Sequence, residues 1–338
     1  MADHAAVRPS SIQWKDVSHS QTDWPRVLAY VLALLGGLAL LLLGAEGLVR
    51  GSSALALRMG VSALTVGLTI VAFGTSSPEL VLGGEAARSG NGALALGNVI
   101  GSNISNLALV LGFAALIRPL RVRSQLIKRE MPIMIAITFL LLGLLLDGEL
   151  TRFDGVLLLC LAVVYVATTY AAARKAQSKE LLTGFEDVIG SDRPVRSSVL
   201  LMVAGLAGLL GGANLLLWGA TSLAVQLGVS QLVIGLTVVA IGTSLPELVT
   251  AMAAARRGEA DVAFGNVIGS NVLNVLAVLG LAVIIQPISV GALRSVDVLV
   301  FAGSAVLLLP LMWRGCILNR WEGAALLVGY AVYIYSLV

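Results

Sequence analysis

Charge, cysteine and histidine are all scarce in this sequence. Only 12% of the 338 residues are charged, while 58% are hydrophobic; a soluble domain carries about a quarter charged residues. The two cysteines, Cys160 and Cys316, lie in an apolar run and a short loop, so no disulfide or thiol chemistry is expected. Both histidines, His4 and His19, lie in the polar beginning of the chain. These absences exclude a soluble domain, and with so few charges the net charge of +3 is no nucleic-acid signal.

Long apolar runs make up most of the chain. A membrane-spanning helix needs about 20 apolar residues, and the sequence offers ten candidates. They are Val27–Val49, Val61–Ala86, Ala93–Ile117, Met131–Leu146, Gly155–Ala173, Val199–Leu223, Val229–Ala254, Val262–Ile285, Val296–Met312 and Gly323–Val338. The sequence therefore predicts an all-α polytopic membrane protein with about ten transmembrane helices.

The spans divide the chain into four segments. Residues 1–26 form a polar tail without a secretory signal, and residues 174–198 form a charged linker. The five-span halves between them are residues 27–173 and 199–338. With the N-terminus outside, 16 of the 22 Lys and Arg residues fall in or beside cytoplasmic loops. This bias predicts a multi-pass protein of the plasma membrane with both termini outside.

One stretch occurs twice. Residues 67–80 read G-L-T-I-V-A-F-G-T-S-S-P-E-L, and residues 235–248 read G-L-T-V-V-A-I-G-T-S-L-P-E-L, with 11 of 14 positions identical. The same shift of 168 residues carries A-L-G-N-V-I-G-S-N-I at 95–104 onto A-F-G-N-V-I-G-S-N-V at 263–272. Five spans per half is an odd number, so the two copies should insert in opposite orientations, as in many secondary transporters.

Each copy of the stretch contains signals for a broken helix. Proline lacks the N–H that would bind the carbonyl four residues earlier, and glycine loosens the same turn. The helix-breaking residues are Gly74 and Pro78 in the first copy and Gly242 and Pro246 in the second. Backbone carbonyls freed inside a membrane need a cavity, water or an ion to satisfy them.

Polar side chains accompany the predicted breaks. Thr75, Ser76 and Glu79 are spaced to face one side of a helix, and Ser102 and Asn106 share a face of the next span. The second copy repeats them as Thr243, Ser244, Glu247, Ser270 and Asn274. Such a set is made of oxygen ligands, which suits Ca²⁺, Mg²⁺ or Na⁺ and argues against Zn²⁺ or Cu²⁺. The paired carboxylates predict a cation site, since a buried Glu marks a functional site by default.

Other polar residues are expected to have structural roles. Asn98, Asn103, Asn266 and Asn271 should tie helices together. Glu46 should pair with Arg50 on the next helical turn, and Asp297, at the end of a span, should be solvated. Gly97 and Gly101, like their repeats Gly265 and Gly269, should let the third span of each half approach a Glu-bearing helix closely.

The paired G-T-S-x-P-E and G-N-V-I-G-S-N segments resemble the two alpha repeats of the sodium/calcium exchanger family, a branch of the calcium/cation antiporter superfamily. The resemblance covers the ten-span core. It implies ten helices in two inverted halves, exchange of Na⁺ for Ca²⁺, usually three to one, and first and sixth helices that slide across a rigid core. It implies no cofactor beyond the transported ions, no enzymatic activity, and a chain that works as a monomer in the lipid bilayer.

The resemblance also implies the ion ligands. They are Ala72 (carbonyl), Thr75, Ser76, Glu79, Ser102, Asn106, Ala240 (carbonyl), Thr243, Ser244, Glu247, Ser270 and Asn274. At position 274 several relatives, including potassium-dependent ones, carry Asp, so the Asn here resembles the potassium-independent type. The linker lacks the large calcium-sensing domains of animal exchangers.

Three other functions compete with Na⁺/Ca²⁺ exchange. A proton/calcium antiporter, or another cation antiporter, is the nearest, although that proton-coupled branch usually carries an acidic residue in the G-N segment, where Gly101 and Gly269 stand. A channel would need a continuous pore, which suits buried carboxylates between inverted halves less well. An intramembrane protease would need a membrane-embedded His or paired Asp, and the spans contain neither.

Overall fold

The computed structural model describes residues 24–59, 62–182, 194–227, 240–291, 293–313 and 315–337. Within these ranges the secondary structure is helical apart from four two-residue strands. Seven of the described helices are long and apolar enough to cross a membrane, and a bent pair of shorter helices makes a possible eighth span. Part of the predicted linker, the tail before residue 24 and the first half of the predicted span Val229–Ala254 lie outside the described residues.

Six helices precede the linker and six follow it in the described chain. The first six are α1 (Trp24–Met59), α2 (Ala63–Thr75), α3 (Ser77–Arg88), α4 (Gly92–Ile117), α5 (Leu126–Asp147) and α6 (Arg152–Leu182). The second six are α7 (Val195–Gln226), α8 (Ala240–Thr243), α9 (Leu245–Arg257), α10 (Ala260–Ile285), α11 (Ser295–Trp313) and α12 (Arg320–Tyr335). Helix α6 runs nine residues past the predicted end of its span at Ala173.

Two short antiparallel ladders join the halves. Strand β1 (Leu120–Arg121) follows α4 and pairs with β4 (Ile317–Leu318), which precedes α12. Strand β2 (Glu149–Leu150) precedes α6 and pairs with β3 (Ile288–Ser289), which follows α10. The 168-residue shift carries β1 onto β3 and β2 onto β4. The two ladders are therefore equivalent under the repeat, and each ties one half to the other.

Helices α1 and α7 run antiparallel and meet along a seam of glycines. A Cβ on Gly44 would lie 2.3 Å from the Leu209 amide nitrogen, and a Cβ on Gly205 would lie 2.3 Å from the Leu48 amide nitrogen. Four more glycines approach the opposite backbone to 2.9 Å or less by the same measure: Gly37, Gly51, Gly212 and Gly219. Small residues let membrane helices approach this closely, so the two backbones are in direct contact along most of the pair.

Helices α4 and α10 occupy the centre of the molecule. In their most apolar segments 72% and 78% of the residues are buried, against 22% in α1 and in α7. The peripheral helices instead expose large apolar side chains, among them Leu35, Leu43, Val163 and Leu299. Apolar surface of this extent suits lipid rather than water. The buried glutamates and asparagines of the repeated segments lie on or beside these two central helices.

An arginine before or within the first turn of α5 and α11 anchors the helix that follows. Arg129 donates to the Thr168 carbonyl of α6 (3.0 Å), and Arg294 donates to the Ser336 carbonyl at the end of α12 (3.1 Å). Thr168 and Ser336 are themselves 168 residues apart. The acceptors are therefore equivalent under the repeat, although Arg129 maps onto Asp297 and not onto Arg294.

The expectation that Asp297 is solvated is wrong. Its side chain is only 15% exposed, is ion-paired with Arg294 (2.9 Å) and accepts a hydrogen bond from the Tyr333 hydroxyl (3.1 Å). The reason is packing, because Tyr333 on α12 lies over the first turn of α11. The pair expected between Glu46 and Arg50 is confirmed at 2.7 Å.

Candidate ion-binding site

Each Glu-bearing span is interrupted two residues before its proline. Helix α2 ends at Thr75, α3 begins at Ser77, and the two are bent by 45°. In the second half α8 ends at Thr243 and α9 begins at Leu245. Pro78 and Pro246 stand in the first turn of the new helices, where a missing N–H removes no intrahelical bond.

The interruption changes how the two glutamates are held. The sequence predicts Thr75 and Glu79 on one face of one helix, but the break at Ser76 places them on different helices. Glu79 and Glu247 instead occupy the first turns of α3 and α9. The unpaired N–H groups and the dipole at a helix N-terminus favour negative charge there. The break thus provides a local reason for carboxylates to be tolerated inside the span.

The carboxylates are buried and are contacted from the opposite half of the chain. Glu79 is 1% exposed and Glu247 is fully buried. The Ser76 hydroxyl donates to Glu247 Oε1 at 3.4 Å, and the hydroxyls of Thr75 and Ser270 also interact with that carboxylate. Glu79 and Glu247 are close enough to interact electrostatically. Two buried carboxylates so close together can both be ionised only beside a compensating positive charge.

Thr75 and the Ala72 carbonyl connect α2 to the central helix α10. The Thr75 hydroxyl donates to Asn266 Oδ1 at 3.0 Å and lies 3.5 Å from the Ser270 hydroxyl. The Ala72 carbonyl accepts from Thr75 at 3.3 Å and from Ser270 at 3.5 Å. The two glycines of α10 allow this contact, since added Cβ atoms would meet the α2 backbone at 2.5–2.8 Å; they are Gly265 and Gly269. The prediction is confirmed for these two glycines. For Gly97 and Gly101 no described atom of another helix lies within 4 Å of an added Cβ, so the first-half contact stays a prediction.

Asparagines join α4 and α10 beside the carboxylates. Asn103 Nδ2 donates to the Asn271 carbonyl (3.1 Å), and Asn271 Nδ2 donates to the Asn103 carbonyl (3.3 Å). These two residues are 168 positions apart, so a residue and its own repeat hydrogen-bond each other. Asn274 Nδ2 donates to Asn103 Oδ1 at 3.2 Å. As expected, Asn103 and Asn271 tie the helices together.

A feature that the sequence did not predict is a widened turn at each distal asparagine. A π-helical segment begins at Asn106 in α4 (Asn106–Val110) and at Asn274 in α10 (Asn274–Leu279). Another π-helical segment, Gly67–Val71, lies in α2. Such turns are rare and occur often at functional sites. Hydrophobic periodicity carries no signal for one extra residue in a turn, but the repeated asparagine itself marks the position.

Several buried oxygens at the site have no hydrogen-bond partner among the described residues. They are Glu79 Oε2, Glu247 Oε2, Asn106 Oδ1, Asn274 Oδ1 and Ser244 Oγ. A buried polar atom without a partner costs about 1–3 kcal/mol, and more if it is charged. All five atoms belong to residues that the sequence nominates as ligands. Such a cluster of acceptors fits a cation that binds oxygen.

Eleven of the twelve proposed ligands lie buried on α2–α4 and α8–α10, and Ala240 is described for its backbone only. The structure brings together Ala72, Thr75, Ser76, Glu247 and Ser270 by direct contacts, and Glu79 with Glu247 by charge. In the described part of the chain no three His, Cys, Asp or Glu residues form a metal-binding group. A bound ion would therefore rely on two carboxylates plus hydroxyl, amide and carbonyl oxygens.

Comparison with known proteins agrees with this geometry. The family described as Sodium/calcium exchanger protein matches residues 29–171 and again 197–338, two ranges that begin 168 residues apart. This chain belongs to the sodium/calcium exchanger family. The Inner membrane protein YrbG of Escherichia coli (strain K12) is 37% identical over 310 residues, which is 90% of this chain and 95% of the relative. The Sodium/calcium exchanger MaX1 of Methanosarcina acetivorans is 33% identical over 341 residues, covering 90% and 97%.

Solved structures share the fold as well as the sequence. A structure of the sodium-calcium exchanger NCX_Mj soaked with Na⁺ and Sr²⁺ superimposes with a TM-score of 0.81 at 34% identity, over 92% of this chain and 99% of that one. The chain is therefore a multi-span cation antiporter of the exchanger family and not an enzyme, as the sequence predicted.

Proposed function

We propose that the protein exchanges Na⁺ for Ca²⁺ across the plasma membrane by alternating access. The observation that carries this proposal is the pair of buried carboxylates, Glu79 and Glu247, each with an oxygen that lacks a partner in the described chain. They belong to opposite halves and interact with each other. Related structures, described as ion exchange and binding-site occlusion in NCX_Mj, were obtained with Na⁺ together with Sr²⁺ or Ca²⁺.

The architecture we propose is ten transmembrane helices in two inverted five-helix halves, residues 27–173 and 199–338. Three features support the inversion. The two strand ladders are equivalent under the repeat, Asn103 and Asn271 bind each other reciprocally, and α1 meets its repeat α7 in an antiparallel seam. Each is the contact expected where a two-fold axis passes between the copies.

The twelve nominated residues form the ion site in this proposal. The first-half ligands are Ala72, Thr75, Ser76, Glu79, Ser102 and Asn106, and the second-half ligands are Ala240, Thr243, Ser244, Glu247, Ser270 and Asn274. The breaks beside Gly74 and Pro78, and beside Gly242 and Pro246, expose backbone to the site. Broken helices at the interface of inverted repeats are a common way to build such sites.

The moving element in this proposal is the pair α1–α7. The glycine seam brings the two backbones into direct contact along most of the pair, so we expect the two helices to move together. Their contact with the other described helices is much less extensive, and their outer surfaces are apolar. The pair can then slide across the core as one body, opening the site first to one side and then to the other.

Exchange is expected to be electrogenic. The two carboxylates neutralise one Ca²⁺, whereas three Na⁺ in the same site leave one positive charge. One charge crossing the membrane exchanges about 2.3 kcal/mol per 100 mV. The distribution of basic residues supports an orientation with both termini outside. We further propose that the monomer is the working unit and that no cofactor is needed.

The test is calcium uptake into proteoliposomes that contain the purified chain. An outward Na⁺ gradient should drive Ca²⁺ uptake, and an imposed membrane potential should change the rate. A protein that answers to a pH gradient and ignores Na⁺ would be a proton/calcium antiporter instead. Uptake that ignores the potential would contradict the proposed stoichiometry.

A further inference from the structure

An ion-paired network fastens α1 to the turn between α9 and α10. Glu46 of α1 binds Arg257, the last residue of α9, at 2.9 Å. Arg257 also binds Glu259 at 3.0 Å, and the Ser53 hydroxyl of α1 donates to Glu259. The network thus crosses from the α1–α7 pair to the helices that carry Glu247 and the central asparagines. None of these four residues is a nominated ion ligand.

The network has no equivalent at the opposite end of the molecule. The 168-residue repeat continues without a gap through α1 and α7, where L-L-L-G-A-E-G-L at 41–48 matches L-L-G-G-A-N-L-L at 209–216. The positions equivalent to the four network residues are Asn214, Thr221, Ser89 and Asn91. Asn91 accepts a hydrogen bond from the Leu94 amide and caps α4, whereas Glu259 at the matching helix start makes no such cap. No charged pair can form among these four.

This difference matters in a transporter built from inverted repeats. Perfect repeats would give two access states of equal energy, because each state is the other turned over. Any contact present at one end alone makes the two states unequal. A slide of the pair by one helical turn, about 5.4 Å, would break the Glu46–Arg257 ion pair and the Ser53–Glu259 hydrogen bond. The pairs of Glu46 with Arg50 and of Arg257 with Glu259 would each stay within their own part.

We propose that Glu46, Ser53, Arg257 and Glu259 form a latch that closes the Arg257 end of the protein and biases it toward one access state. The proposal rests on the proposed function. The side chains of Glu46 and Arg257 are 35% and 33% exposed, so the bias is modest. Partly exposed pairs of this kind change an equilibrium by about threefold to tenfold. That bias is enough to give the two faces different apparent calcium affinities.

The experiment measures Ca²⁺/Ca²⁺ exchange, without Na⁺, in membrane vesicles of both orientations. The half-saturating Ca²⁺ concentration at each face depends on the fraction of molecules open to that face. Glu46→Gln and Arg257→Gln should each lower it about threefold to tenfold at the Arg257 face and raise it at the opposite face. The double variant should match the single variants, because either substitution alone already breaks the Glu46–Arg257 ion pair.

Two controls isolate the latch. Arg50→Gln removes a partner of Glu46 that lies on the same helix (2.7 Å), so nothing that crosses to the core is lost. Arg123→Gln removes an ion pair with Asp261 (3.1 Å) that joins parts of the core only. In both control variants the half-saturating Ca²⁺ concentration at each face should equal that of the parent protein.

The outcomes separate the latch from the proposed function. Three results would overturn the latch. In the first, the half-saturating Ca²⁺ concentration does not change in the latch variants, and in the second it changes equally and in the same direction at both faces. The third is a double variant whose change is the sum of the single changes. A parent protein that exchanges no Ca²⁺ at all would instead overturn the proposed function on which the latch rests.

Discussion

The core and the α1–α7 pair are held together in different ways. In the core, polar side chains from one half bind partners in the other, as in the mutual hydrogen bonds of Asn103 and Asn271. In the pair, glycines bring the two backbones into direct contact. Directional hydrogen bonds fix one arrangement in the core, whereas α1 meets the core through apolar contacts and the Glu46–Arg257 network at one end. The comparison fits the proposed division into an ion-binding part that stays fixed and a helix pair that slides to control access.

Removing a site carboxylate should have the largest effect. Glu247→Gln keeps the size of the side chain but removes half of the negative charge that would balance Ca²⁺, and Glu79→Gln should act alike. Calcium transport should fall by at least about 100-fold, as expected when a site loses roughly 3 kcal/mol of stabilisation. Calcium flux in proteoliposomes provides the measurement. If either variant is folded and transports Ca²⁺ nearly as fast as the parent, the substituted carboxylate does not belong to the ion-binding site.

Filling the seam tests the other part. Gly205→Ala places a methyl group 2.3 Å from the Leu48 amide nitrogen, and overpacking of this kind costs about 1–3 kcal/mol. Gly211 lies on the same helix with open space around it in the described structure. Gly211→Ala should be neutral or gain up to about 1 kcal/mol from helix propensity. The measurement is the unfolding temperature of each purified variant, which should be lower for Gly205→Ala than for Gly211→Ala. Equal unfolding temperatures would mean that the two backbones do not touch.

Loss of the hydrogen bonds made by Asn103 should lower the stability of the core without abolishing ion binding. Asn103→Ala leaves the Asn271 carbonyl and the Asn274 amide without their partners, at about 1 kcal/mol for each lost bond. Asn98 on the same helix has an amide nitrogen with no partner in the described chain, so Asn98→Ala is the matched control. The unfolding temperature should fall for Asn103→Ala and change less for Asn98→Ala. The reverse order would contradict the assigned bridge.

The smallest change concerns a single charge. Asn274→Asp adds a third carboxylate beside Glu79 and Glu247, and closely spaced carboxylates do not all ionise. The variant should take up a proton or a further cation, so its calcium uptake should depend on pH near neutrality, or on K⁺, more steeply than the parent's. Uptake is measured across a pH series, with and without K⁺. Superimposable profiles would show that Asn274 does not line the ion site.

The repeat made much of this site predictable from the sequence. Glu79 and Glu247 stand out because a carboxylate inside an apolar run, repeated after 168 residues, has few structural explanations. The proline beside each one also indicates a helix break. Local patterns of this kind need only the spacing of neighbouring residues, which the sequence contains in full.

Contacts between distant segments were beyond such patterns. The Ser76 hydroxyl reaches Glu247, 171 residues away, and no periodicity relates the two. Arg257 joins Glu46 across 211 residues, where the sequence indicates only the nearby Arg50. The sequence predicts a solvated Asp297 because Tyr333, which packs over it, belongs to another helix. In each case packing of helices decides the partner.

The most direct test of the central claim is whether Ca²⁺ stabilises the protein through both carboxylates together. A ligand that binds the folded protein at 100 times its dissociation constant adds about 2.7 kcal/mol of stability. Calcium should therefore raise the unfolding temperature of the parent protein, and of a Glu85→Gln control at an exposed position of α3. Glu79→Gln and Glu247→Gln should each lose that rise. If either variant is stabilised by Ca²⁺ as strongly as the parent, the two glutamates do not hold one ion between them.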